Sequence, residues 1–247
     1  MKDNELKARQ DLAAAYRLAD RFGFSEGIDN HLTLALPEEN DKYLLIPYGM
    51  HWSEVTASSL LVVDSDGNKI SGDGYAEPTA FLIHGAVHKA SKKNKCVMHT
   101  HMESALAITM QNKGRLLMAD QNACRFYNNI NYLDEYEGLV LDKHTASPIG
   151  NAMIEVDILF LANHGIIVTG NNIYDAWESL YYLERACRAQ IVSMSMGNNL
   201  KIINGQIAKK VSDQIREEAK TESANSYRHF EALKRVLINN GGEKYLE

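Results

Sequence analysis

In the segment CVMHTHMESA, residues 96–105, two imidazoles stand two positions apart inside a short apolar run. Side chains at i and i+2 of a β-strand point to the same face, so a strand here offers His99 and His101 to one ion from a rigid support. Composition alone also delivers such a pair in a chain with nine histidines, so partners are needed before it means chemistry. A third imidazole is available at His164, at the end of a separate apolar run and beside Gly165, which permits a sharp turn. Three histidines leave a coordination position open, the arrangement of a catalytic divalent-metal site. Zinc is the first expectation, and Fe2+ or Mn2+ are alternatives that imidazole ligands do not separate. Glu77, immediately ahead of Pro78, is a candidate fourth ligand or a base held beside the metal.

Other histidines give weaker patterns. His84 and His88 lie at i and i+4 of one helix but lack the glutamate of a His-Glu-x-x-His site, so His84 is expected to be packed and His88 exposed. His144 and His229 have no pattern around them.

The elements that must position these groups follow from periodicity. Leu6, Leu12, Tyr16, Ala19 and Phe22 predict an amphipathic helix that stops at Gly23. Runs at 31–37, 43–47 and 60–64 predict strands whose short links force an antiparallel meander. Pro78 suits a first helical position, and Glu77 meets the positive end of that helix, predicted to run to about Ala90. CVMHTH is then a strand, ESALAITM a helix, and residues 111–152 give no clear pattern. Strands at 154–162 and 166–170 precede a long helix from Asn172 to Met196, and one or two amphipathic helices occupy 205–240. The expected organisation is a domain over 1–200 with a helical C-terminal extension, 201–247, packed on it.

The chain's 247 residues suffice for a sizeable core, and its net charge of −6 without a concentrated basic face argues against a nucleic-acid partner. No apolar run reaches the length of a membrane span, and the N-terminus lacks a signal-peptide core. Three scattered cysteines outside any Cys-x-x-Cys pattern point to a reducing, cytoplasmic compartment.

The series EGIDNHLTL, PYGMHWSEVTASSLLVVD, AEPTAFLIHGAVHKASKKNKCVMHTH and LFLANHGIIVTG resembles the class II aldolase/adducin family over about residues 8–196. The resemblance implies an α/β fold, a three-layer α/β/α sandwich around a mostly antiparallel sheet. It also implies a homo-oligomer, a tetramer foremost, with active sites between subunits. Carried over by position, His99, His101 and His164 bind the divalent metal, and Glu77 is the acid/base, itself a metal partner when substrate is absent. The implied reaction is aldolase-type carbon–carbon cleavage by a lyase through a metal-stabilised enediolate.

Where sugar-phosphate aldolases of the family cradle phosphate, this chain reads Asp29-Asn30, Tyr48-Gly49 and Tyr75-Ala76, and the paired serines are gone. A carboxylate at Asp29 repels a dianion, so the expected small-molecule substrate is an unphosphorylated oxo or hydroxy acid. Asn30, His31 and Tyr75 are candidate contacts, and Arg125 a candidate carboxylate clamp or a surface ion pair. Tyr127 and Tyr132 are candidates for the proton donor opposite Glu77. Two alternatives stand: a non-haem iron(II) oxygenase cleaving a 2-oxo or 2-hydroxy acid with O2, and a non-catalytic adducin-like scaffold.

Overall fold

The computed structural model describes residues 3–221 and 224–247. Helix α1 (Asp3–Arg21) buries Leu12, Tyr16, Ala19 and the small residues around them. The Tyr16 hydroxyl donates to the Leu32 carbonyl at 2.6 Å and accepts from the Leu32 amide at 2.8 Å, pinning α1 to β1 (His31–Leu36). The meander that short links require then follows. β2 (Glu39–Leu45), β3 (Leu61–Asp64) and β4 (Lys69–Ser71) each pair antiparallel with the strand before. β4 is exposed throughout, and its KIS sequence has no buried face to announce it.

Helix α2 (Pro78–Ala90) begins at its proline, with Glu77 as N-cap. β5 (Cys96–Thr100) runs antiparallel to β1, in a register that sets His31 opposite His99. The expected helix in ESALAITM is α3 (Glu103–Thr109), and the patternless 111–152 stretch holds α4 (Gln121–Cys124), β6 (Ile130–Leu133) and α5 (Lys143–Ala152). Pro148 and Gly150 interrupt the helical pattern of α5, which is why periodicity misses it. Gly150 has a packing reason: a Cβ there would lie 2.8 Å from the Ala86 carbonyl oxygen of α2. β7 (Ile158–Leu161) is shorter than the predicted 154–162 run and β8 (Gly165–Gly170) returns antiparallel to it. α6 (Ile173–Ser195), capped by Asn172, α7 (Gly205–Glu218) and α8 (Asn225–Asn239) complete the chain.

The eight strands form one sheet in the order β4-β3-β2-β1-β5-β8-β7-β6, antiparallel at every step except β6–β7. Side-chain alternation splits the core. Leu32, Met98, Ile166 and Val168 join the larger cluster with α1 and α6, whereas Val97, Leu159, Leu161 and Ile167 meet Ile83, Val87, Ile149 and Met153 from α2 and α5. Helices therefore cover both faces of the sheet, as the α/β/α expectation has it. α8 packs on α6 and α1, with Lys234 bonding the buried Asp11 carboxylate of α1 at 2.7 Å.

Candidate metal centre

His99 shares the α2-facing side of the sheet with Val97, and His101 follows just past the end of β5. His164 lies in the β7–β8 turn, brought across by the pairing of β5 with β8. The three ring centroids are 4.9–5.1 Å apart, and one ligand nitrogen from each lies within 4.8 Å of the other two. That limit exceeds the nitrogen separation of a tetrahedral zinc site by about 1.5 Å, a gap that modest ring shifts close.

Hydrogen bonds decide which nitrogens are free. The His99 Nδ1–H donates to the Ile166 carbonyl at 2.9 Å, so its Nε2 carries the lone pair. The His101 Nδ1–H donates to the Glu26 carboxylate, and its Nε2 is buried with no hydrogen-bond partner. An orphaned imidazole acceptor beside two others fits a cation, and a carboxylate on the far nitrogen is the usual support of a metal-binding histidine. Burial lowers His99 well below the ordinary imidazole range and His164 to about 4, so both rings are neutral at pH 7. Gly165 is needed for space: a Cβ there would sit 2.6 Å from the His101 ring and 2.6 Å from the Thr100 carbonyl oxygen.

A cavity of about 230 Å³ opens beside the three histidines, lined also by Asp29, Asn30, His31 and Glu77. Glu77 is held at the start of α2, where its carboxylate accepts from the Ala80 amide. His31 is lowered to about 4, by burial first, with Glu77 opposing the shift. Asn30 is buried with a left-handed backbone (φ 69°), and its Nδ2 donates to the same Glu26 carboxylate at 3.3 Å. Tyr75 and Arg125 do not line this cavity. Tyr75 is 80% exposed, and its carbonyl accepts from the Tyr48 amide. Arg125 stacks on Tyr182 at 3.8 Å and pairs with Glu178 at 3.2 Å, remote from the histidines. Its guanidinium is spent on the packing of α6 rather than presented to this pocket.

Behind the cavity, Thr33 bridges His84 Nδ1 at 2.7 Å and His88 Nε2 at 2.8 Å, and His88 Nδ1–H donates to the Asn94 carbonyl at 2.5 Å. His88 is therefore buried, not exposed as expected from its polar last-turn position, because Tyr43 covers its ring at 4.2 Å.

The family profile described as Class II Aldolase and Adducin N-terminal domain matches residues 10–191. The chain belongs to the class II aldolase/adducin family. A Caulobacter vibrioides protein assigned to aldolase class 2 is 33% identical over 219 residues, 88% of this chain and 83% of that protein. An adducin-related protein of Schizosaccharomyces pombe is 32% identical, covering 95% of this chain and 75% of that one. Among solved structures, an aldolase II superfamily protein from Pseudomonas syringae superposes with a TM-score of 0.92 at 30% identity, over 100% of this chain and 98% of that one. Sequence reasoning in this family missed Glu26, whose only signal is its place in the loop ahead of His31. It also missed the 139–141 segment, which lines the cavity from inside the ambiguous stretch.

Proposed function

We propose that this protein is a metal-dependent lyase that cleaves a carbon–carbon bond in a small, unphosphorylated oxo or hydroxy acid. The observation that carries the reading is the convergence of His99, His101 and His164, with an unpartnered Nε2 on His101, at the wall of one cavity. A divalent cation held there supplies a Lewis acid for negative charge developing on a carbonyl oxygen. Zinc, which in catalytic sites takes three imidazoles and keeps a fourth position open, is the metal we propose, with Fe2+ and Mn2+ as alternatives that the ligand type does not separate. Glu77 then holds and returns the proton, being anchored by the Ala80 amide and beside the cavity. His31, kept neutral by burial, offers a hydrogen bond without adding charge. Asn30 supports the wall through Glu26, whereas Tyr75 lies outside this cavity and Arg125 is committed to Glu178 and Tyr182 of α6.

No lysine or arginine lines the cavity among the described residues, and Asp29 does, which supports an unphosphorylated substrate. Three free, buried cysteines agree with the cytoplasm, and the exposed Tyr48 and Tyr75 agree with a homotetramer closing over the site. Likeness to an adducin-related protein favours a second reading, a scaffold without catalysis. Glu77→Gln separates the two. It should keep one metal ion per chain and lose turnover of the acid it cleaves by about 10²-fold or more. Full turnover in this variant would remove Glu77 from the chemistry, and a wild type that binds no metal would favour the scaffold.

A further inference from the structure

The cavity beside the histidines has two unlike linings. Its acidic lining is Asp29 and Glu77; its apolar lining is Ala80 and Ile83, further along α2 from Glu77, with Leu139, Val140 and Leu141. Leu139 and Leu141 are 72% and 65% exposed, an unusual cost for two large aliphatic side chains two positions apart. They are held rather than loose. Val140 between them packs against the core cluster that contains Ile83 and Leu161, and Gly138 turns the chain into the segment at φ 93°. This backbone conformation favours glycine. All three residues line the cavity, Val140 from its partly buried position and the two leucines from exposed ones.

Resting on the oxo- or hydroxy-acid reading above, we propose that the 139–141 segment is a specificity wall that selects substrates with an uncharged aliphatic tail. The metal end takes the chelating oxygens, and the tail lies between α2 and the two leucines. A second carboxylate on the tail would meet no lysine or arginine among the described residues that line this cavity, which already carries Asp29 and Glu77. Its burial without a cation is costly. An aliphatic tail meets the opposite situation, covering apolar surface that water now touches. Each buried methylene should tighten binding by about fourfold.

The test uses zinc-loaded, full-length protein and calorimetric titration with pyruvate, 2-oxobutanoate, 2-oxopentanoate, 4-methyl-2-oxopentanoate and 2-oxoglutarate. The expected result is an affinity that climbs along the aliphatic series, at least tenfold from pyruvate to 4-methyl-2-oxopentanoate. 2-Oxoglutarate should bind no tighter than pyruvate. The double variant Leu139→Ser, Leu141→Ser removes only exposed apolar surface, so folding is not at stake, and the tenfold ratio should collapse to within about twofold. A flat series in the wild type, or tightest binding of 2-oxoglutarate, would overturn the proposal. So would a double variant that keeps the ratio but dissociates in sedimentation velocity, because the leucines would then be a contact between copies. If none of the acids binds the zinc-loaded protein, the lyase reading falls with it. If all bind equally, only the wall falls.

Discussion

The orientation of two imidazoles sets what the site can hold. The Ile166 carbonyl takes the Nδ1 proton of His99, and Glu26 takes that of His101, so both rings turn Nε2 toward His164. Glu26 does more than the carbonyl, since a carboxylate raises the basicity of the ring it buttresses. Replacing Glu26 with Gln should weaken zinc binding by about 10–100-fold, the usual scale for such partners, while circular dichroism stays that of the wild type. An unchanged zinc affinity, measured by competition with a chromogenic chelator, would reduce Glu26 to a loop residue. The histidine pair was legible in the chain because strand geometry makes i, i+2 a shared face. Glu26 was not, since a lone acidic residue in a polar loop carries no periodic signal, and only the fold brings it 75 positions forward to His101.

Helix α2 is the element on which the site leans. Its first residue follows Glu77, and its inner face carries His84 and His88, joined through Thr33 to β1. Burial holds His88 at about 4, against the hydrogen bond to the Asn94 carbonyl, which pulls the other way. The folded value lies below the usual imidazole value of about 6.5, so an unfolded chain takes up this proton first as pH drops. Stability from the neutral ring is thus fully present above about pH 6.5 and declines as pH falls toward 4, by roughly 1.4 kcal/mol per pH unit. With chelator present, the fall in Tm from pH 6.5 to 4.5 should be shallower in His88→Gln than in the wild type. Equal slopes would mean that His88 does not titrate in that window. The helix itself was plain from Pro78 and its apolar spacing. Its partner α5 was hidden by Pro148 and Gly150, residues that helix propensity opposes, the glycine being demanded by close packing on Ala86. β6 and α4 were too short to leave a period.

On the scale of the molecule, the sheet order explains why distant segments meet. β1, β5 and β8 are neighbours, so the loop before β1, the end of β5 and the turn before β8 share one rim. The resemblance carried by the Glu-Pro, His-x-His and His-Gly motifs anticipated the layered architecture, and the family match over residues 10–191 agrees with it. What the chain could not disclose was which surface lines the cavity beyond those motifs, because Leu139 and Leu141 lie in a segment without regular structure. The central claim is a shared cation. Protein stripped with chelator, dialysed and titrated with zinc should bind one ion per chain, and His164→Ala should lose that ion while keeping the wild-type circular dichroism spectrum. One ion per chain bound with wild-type affinity by His164→Ala, or none bound by the wild type, would contradict the account.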